Sequence, residues 1–458
     1  MNKIAKKKVQ LFQCENETQV LPTEGWIPPF GLAYIATYAK RRGHDVKLYS
    51  AVNGITTQEM EKRAGDADFV GLTTTASTYH SALKLARIAK NRNPNVKVIL
   101  GGPQASALSN EVILNRGPTS LDYCVDIVCY GDGVCSFVDG VLEDRPLVQV
   151  PNLVFIEGNQ IVKTPKVRED VSKWPTLDYS FFDMDKVTAT YGEKFKGITP
   201  FKRGLGIMSG FGCAAQHQCG FCARTDRGLR FRLPEQFWYD VSSAIKKHKV
   251  EYFFDLADSI LDSQEHLEQL INSKPNNVNP KFRVFARADQ LTVSKNLDLL
   301  EKLGVYEVFV GFESGSREML RAMYKDTTPE QNLAAAEALG ERGIYIVGCF
   351  VLGAPGETKQ TLEESVRHAE EIQKISKNHL LVCGASPVNI LPGSPWFSRI
   401  KNEKGIYGED DLDRNLLRKV WYSKYCPEMN YDLIEEYAEK IRNASGAKMQ
   451  YEKGTDKH

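Results

Sequence analysis

The sequence predicts an α/β protein built in two successive units. A Rossmann-like sheet of the flavodoxin type comes first, followed by a partial (β/α)6 barrel and a small carboxyl-terminal helical segment. Three observations carry this reading. A chain of 458 residues exceeds what one hydrophobic core normally organises. Short β-branched or apolar runs alternate with helical patterns in two separate series, the mark of βαβ units on parallel sheets. Between the series, residues 146–203 carry several prolines and only short apolar pieces.

The first unit is expected over residues 1–145 and runs strand KVQLF, helix PPFGLAYIATYAKRRG, strand DVKLYS, a polar helix, strand DFVGLTT, helix SALKLARIAKNR and strand VKVILGG. Ligands of such sheets sit beyond the carboxyl ends of the strands. That rule places Thr73, Thr74, Thr75 and Ser77, then Gly101, Gly102 and Gln104, then Tyr130 to Gly133 at the crevice. Residues 146–203 read as a small hairpin, PNLVFIEGNQIV, and a wrapping linker. Over 204–400, the strands GLGIMS, VEYFFDLA, FRVFA, YEVFVGFE, YIVGCFVLG and LLVCGASPV give six β/α repeats. Six repeats form a three-quarter barrel with its site at the carboxyl-terminal rim. Thr361 and Glu364 read as the capping box of the helix after Glu357. Residues 401–458 form the helical extension, with an amphipathic helix at DLIEEYAEKIRN.

Composition excludes several classes of function. Basic and acidic side chains number 59 and 58, which leaves no field to attract a polyanion, so no nucleic-acid partner is expected. No stretch of about 18 apolar residues occurs, so no membrane span is expected. The start MNKIAKKKVQLFQCENE lacks the apolar core and cleavage site of a secretory signal, which predicts a cytoplasmic protein with reduced thiols. Cys14, Cys124, Cys349 and Cys383 lie in apolar runs and read as small buried hydrophobes, Cys129 and Cys135 as structural, and Cys426 stands alone.

Three other thiols cluster. In GFGCAAQHQCGFCARTD, Cys213, Cys219 and Cys222 follow the first barrel strand, where rim loops carry catalytic groups. A structural zinc site needs four closed ligands, and His217, inside the same loop, would strain to be the fourth. A four-iron cluster held by three thiolates instead keeps one iron open for a chelating substrate.

Further segments resemble one family in order. CGFC (219–222) resembles the end of the cluster loop of the radical S-adenosylmethionine (SAM) superfamily, GFESGS (311–316) its strand-four motif and VGCFVLGAPGE (347–357) its strand-five segment. FFDLADSILD resembles the stretch after strand two less clearly, and NILPGSPWF (389–397) resembles the segment ending strand six. IPPFGLAYIATYAKRRGHDV, ILGGPQAS and CYGDGVCSF resemble an amino-terminal cobalamin-binding-type (B12-binding) domain. From about residue 8 to 400 the chain thus resembles the radical SAM subfamily carrying such a domain. One departure stands out: five residues separate the first two cysteines, where family loops mostly have three.

The resemblance implies a [4Fe-4S] cluster on Cys213, Cys219 and Cys222 as metal ligands and catalytic centre, with SAM chelating the open iron. One electron then cleaves SAM to methionine and a 5′-deoxyadenosyl radical. It places Phe221 against the adenine, Glu313 and Ser314 at the ribose and methionine portions, and Gly353 and Glu357 in the adenine-facing segment. Asp258 and Arg287 become rim groups orienting SAM or substrate, or else ordinary strand-end salt bridges. Arg230 and Arg232 become a clamp for a carboxylate or phosphate, or else a solvated helix approach. Implied partners are a small-molecule substrate and a reducing donor such as flavodoxin or ferredoxin. Cobalamin is also implied, resting on Thr73, Thr74, Thr75, Ser77, Gly101, Gly102, Gln104, Gly131 and Gly133. The D-x-H-x-x-G motif is absent and His44 reads as a surface turn residue, so no histidine would reach the corrin's lower face. With cobalamin, methyl transfer to a small metabolite or lipid-like intermediate leads. Without it, dehydration, epimerisation, rearrangement or oxidation remain open, and a non-catalytic cobalamin-binding module with structural zinc is the reading from another class.

Overall fold

The computed structural model describes residues 5–14, 25–114, 124–224, 226–404 and 414–450. Parts of the amino-terminal stretch read for export signals, and of the 401–458 extension, lie outside the described residues.

The first sheet contains β1 (Lys8–Gln13), β2 (Asp45–Ser50), β3 (Phe69–Thr73), β4 (Lys97–Gly101) and β5 (Ile127–Cys129), all parallel, in the spatial order β2-β1-β3-β4-β5. This is the flavodoxin-type order. The apolar runs of β3 and β4 are buried on both faces because helices Phe30–Arg41, Tyr79–Arg92 and their neighbours cover them. The expected hairpin, β6 (Leu153–Glu157) and β7 (Gln160–Lys163), extends this sheet, with β6 antiparallel to β5. Leu153, Val154 and Phe155 are buried in succession, so their strand needs cover on both faces.

The second sheet runs β8 (Gly204–Ile207), β11 (Tyr252–Asp255), β12 (Lys281–Phe285), β13 (Val305–Glu313), β14 (Tyr345–Leu352), β15 (Leu380–Pro387), all parallel, with β16 (Met449–Gln450) added beside β15. A short antiparallel pair, β9 (Gly210–Phe211) and β10 (Arg230–Phe231), leaves the end of β8. Among the described residues no helix is long and apolar enough to cross a membrane.

An aromatic floor seals the barrel below its rim. Gly204 and Gly206 of β8 leave room for other residues: a Cβ at Gly204 would lie 2.5 Å from Tyr191 Cγ, and one at Gly206 3.1 Å from Ile27 Cγ2. Trp26, Tyr191, Phe195, Tyr252 and Phe254 form one buried cluster there. Beside it, Arg283 and Glu307 make a buried ion pair at 2.6 Å, and the Tyr252 hydroxyl donates to Glu307. The Arg283 guanidinium also lies 5.6, 5.9 and 5.1 Å from the ring centres of Phe195, Tyr252 and Phe254, contacts that help a buried charge stay in this aromatic floor.

Three expectations are corrected here. His44 is buried, not a surface turn residue, because the backbone N–H of Lys7 donates to its Nδ1 at 3.3 Å as the chain enters β1. Arg232 is neither solvated nor available as a clamp: it is buried against Asp240 at 2.7 Å, with its guanidinium 5.7 Å from the ring centre of Tyr34. The helix Lys359–Ile375 is capped by Thr358 with Thr361 and not by Thr361 with Glu364. The helix begins earlier than expected, and the Thr361 hydroxyl turns to Glu357.

Candidate active site

The three thiols lie on the loop between β9 and β10, and a ring of rim groups ties that loop down. Gly212 N–H donates to Asp258 Oδ2 (2.8 Å), Ala214 N–H to Asp262 Oδ2 (2.7 Å), and Gly220 N–H to the Met323 carbonyl (2.8 Å). The longer first gap, Ala214 to Gln218, has its own anchors. His217 donates its backbone N–H to Asp326 Oδ2 at 3.1 Å, its ring Nδ1 lies 2.9 Å from Asp326 Oδ1, and the Gln218 amide donates to the carbonyls of Cys222 (2.8 Å) and Arg224 (3.0 Å). His217 is therefore engaged away from the thiols. Among the described residues no three His, Cys, Asp or Glu side chains gather closely enough for a single metal ion. All three thiols are half-buried. Burial pushes the Cys219 thiol up to about 11 and raises that of Cys222, and the neighbouring thiols add to both shifts. Holding Cys219 and Cys222 as thiolates therefore needs positive charge beside them, as an iron cluster supplies.

Across the rim, Glu313 ends β13 with a left-handed backbone, φ +62°, at a register shift against β14. A non-glycine residue held there is strained, a feature concentrated at functional sites. Its carboxylate is paired with Lys325 Nζ at 2.9 Å, the glutamate buried and the lysine nearly so. Gly311 makes the approach possible, since a Cβ there would stand 2.1 Å from Glu313 Oε1. Lys325 also feels the charges of Cys219 and Cys213, so one ammonium sits between the carboxylate and the thiol cluster. Asp258 pairs with Arg224, and Arg287 with Asp262 at 2.6 Å and Asp289 at 3.2 Å. These are strand-end salt bridges, yet Asp258 and Asp262 each also hold a backbone N–H of the cysteine loop. The Phe221 ring meets Trp396 edge-on at 6.1 Å, and Gly220 leaves space for that indole.

Other predicted residues face inward. Ser314 is buried, its hydroxyl 3.0 Å from that of Ser365, and it accepts the Ser316 N–H. Glu357 is 2% exposed and takes the Gly353 N–H (3.0 Å) and the Thr361 hydroxyl. Burial raises its pKa to about 7. Gly353, φ +95°, accepts the Trp421 indole N–H at 2.8 Å.

The first sheet's rim is of another kind. Thr74 is buried, donating its hydroxyl to the Gly101 carbonyl (2.8 Å) and accepting the Ala105 N–H (3.1 Å), while Gln104 N–H donates to the Thr74 carbonyl. The Thr75 and Ser77 hydroxyls lie 3.1 Å apart beside Thr73. Gly102 (φ +90°) could carry no Cβ without meeting the Thr74 carbonyl at 2.6 Å, and Gly133 none without meeting Cys129 Sγ at 2.6 Å. Gly131 N–H donates to Ser106 Oγ at 3.0 Å. None of these three loops carries a histidine.

Residues 20–133 match the B12 binding domain family, and residues 207–369 match the Radical SAM superfamily. The chain is a radical SAM protein with a B12-binding domain. Joined, these domains make a [4Fe-4S] cluster, SAM and cobalamin its cofactors, and make it an enzyme. This radical SAM protein is 28% identical to an uncharacterized methyltransferase, PH0819, of Pyrococcus horikoshii, over 77% of this chain and 75% of the relative. It is 27% identical to the anaerobic magnesium-protoporphyrin IX monomethyl ester cyclase of Rubrivivax gelatinosus, over 75% of this chain and 62% of the cyclase. Its fold is shared with the radical SAM methyltransferase TsrM from Kitasatospora setae, solved with cobalamin and a [4Fe-4S] cluster (TM-score 0.67, 16% identity, 87% of this chain and 78% of that one).

The donor chemistry fits these cofactors. A half-buried thiol trio with one cation beside it suits a cluster, and loops of small residues with glycines at positive φ admit a large flat group at close range. Reading the sequence missed Lys325, Asp262 and Trp396. Asp262 and Trp396 had a local signal, lying inside the quoted FFDLADSILD and NILPGSPWF, whereas Lys325 had none.

Proposed function

We propose that the chain is a cobalamin-dependent radical SAM methyltransferase acting on a small metabolite or lipid-like intermediate. The observation that carries this reading is the pairing of two rims in one molecule: a three-thiol loop with the Glu313–Lys325 pair over a sealed aromatic floor, and a histidine-free rim of small residues. When bound, the cluster and SAM supply radical chemistry and cobalamin carries a methyl group. Cys213, Cys219 and Cys222 hold the cluster, and Phe221 packs against the adenine. Lys325 and Glu313 orient the charged end of SAM, while Asp258 and Asp262, with Arg287, keep the cysteine loop in place. Thr73, Thr75, Ser77, Gly101, Gly102, Gly131 and Gly133 line the corrin site. Thr74, Gln104, Ser314 and Glu357 shape their turns from beneath. The aromatic floor of Trp26, Tyr191, Phe195, Tyr252 and Phe254 would keep water from the barrel interior where SAM and substrate would bind. A flavodoxin- or ferredoxin-like donor supplies the electron. The corresponding domain limits are 1–145, 146–203, 204–400 and 401–458.

Anaerobic purification with cobalamin tests the reading. The expected result is a brown protein with about four irons per chain, a bound-cobalamin spectrum, cleavage of SAM under reduction, and label from methyl-deuterated SAM on cobalamin. A colourless protein with stoichiometric zinc overturns the enzyme reading. A SAM-cleaving protein that never binds cobalamin overturns the methyltransferase reading.

A further inference from the structure

The loop Tyr130–Ser136 of the first unit and the stem of the cysteine loop meet at a polar seam centred on Arg230 and Asp132. Arg230, on β10, pairs directly with Asp132 and reaches Asp226 Oδ2 at 3.3 Å. Its Nη1 also donates to the Glu169 carbonyl at 3.1 Å, and its guanidinium lies 5.5 Å from the Phe211 ring centre. Arg230 and Asp132 are each 15% exposed, so solvent screens the pair weakly. Both partners are fixed from behind. Asp132 Oδ2 takes the Glu169 N–H at 2.9 Å, and its carbonyl takes the Asn152 amide at 2.8 Å. The Glu169 carboxylate in turn holds the backbone N–H groups of Cys135 and Ser136 at 2.9 and 3.0 Å.

On the other side, Arg230 pairs in register with Phe211, two residues before Cys213, and Cys213 N–H donates to the Arg227 carbonyl at 3.1 Å. One guanidinium thus connects the strand that launches the thiol loop to the aspartate lying between Gly131 and Gly133. We infer that Arg230, with Asp132, is a positioning residue that sets the spacing between the cobalamin-side loop and the cluster loop. The proposal rests on the functional reading above. Its physical motive is geometric: two cofactors that act on one substrate must hold near-attack spacing, and a misplacement of about 1 Å costs about 100-fold in rate.

The test uses the holoenzyme, reconstituted with cobalamin and reduced so that cob(II)alamin and the cluster are both paramagnetic. Pulsed EPR then reads the distance distribution between them in wild type, Arg230→Ala, Arg230→Lys and Asp132→Asn, alongside iron content, thermal unfolding and SAM cleavage. The expected result is iron content and SAM cleavage within about two-fold of wild type, a broadened or displaced distribution in Arg230→Ala and Asp132→Asn, and partial recovery in Arg230→Lys, which keeps the charge but not the fork. A wild-type distribution in both variants overturns the proposal and leaves the function standing. A wild-type protein lacking either magnetic signal overturns the function and the proposal together. If Arg230→Ala does not fold, Asp132→Asn decides. If both fail to fold, the seam is a folding element and the proposal is overturned.

Discussion

The two carboxyl-terminal rims face the same task, holding a cofactor at the ends of parallel strands, and solve it with opposite chemistry. The first rim is uncharged over its Thr74–Gln104 part: Thr74, Gly101, Gly102 and Gln104 satisfy one another through backbone and hydroxyl hydrogen bonds, leaving close-approach surface, and its charge is confined to Asp132 at the seam with Arg230. The barrel rim is built from buried and half-buried ions, Lys325 with Glu313, Arg224 with Asp258 and Arg287 with Asp262. A large flat ligand needs shape and little field, whereas an anionic cluster and a zwitterionic nucleotide need fixed charge. The first rim should therefore fail through sterics and the second through charge.

The largest effect is expected at the thiols. Cys222→Ala should abolish cluster binding and SAM cleavage while leaving the unfolding temperature near wild type, because the loop is held by Asp258, Asp262 and Asp326 independently of the thiol. Iron analysis and thermal melts check this, and unfolding on substitution would instead indicate a structural metal. Next comes charge. Lys325→Met leaves the Glu313 carboxylate buried and unpaired, a loss of about 3–5 kcal/mol by denaturant titration. Lys325→Met with Glu313→Gln should recover most of it, and a double variant no better than the single would break the assignment.

A pH profile sharpens the barrel side further. Burial raises Glu357 to about 7 from its ordinary 4.5, so the folded state binds the proton more tightly than the unfolded chain. Its stabilising contribution is complete below pH 4.5 and is lost as pH rises toward 7, amounting to about 3 kcal/mol. Glu357→Gln should remove that slope between pH 4.5 and 7, measured by melts across the range; an unchanged slope contradicts it. The smallest effect belongs to the first rim. Gly102→Ala should cost about 1–3 kcal/mol from its φ of +90°, and should lower cobalamin uptake while iron content stays intact.

Much of this was legible in the chain. Strands buried on both faces announce themselves as apolar runs, so both series of β/α units could be read, and the three thiols are a local pattern. What escaped depends on non-local pairing. Nothing in PNLVFIEGNQIV says that β6 joins β5, since strand pairing is set by which sheet edge is free. Lys325 could not be matched to Glu313 without the positive φ that turns that carboxylate back. Arg232 looked exposed because its partners come from elsewhere, Asp240 on the next helix and Tyr34 from the other unit. His44 looked like a turn because RGHDV is turn-like, yet the start of β1 covers it.

The central claim is that Cys213, Cys219 and Cys222 leave one iron corner unclaimed by protein for SAM. EPR of the anaerobically reconstituted, reduced protein, recorded with and without SAM, tests it most directly. The account predicts a reduced-cluster signal whose g-values shift when SAM is added. A cluster signal that SAM leaves unchanged, or no cluster signal at all, contradicts it.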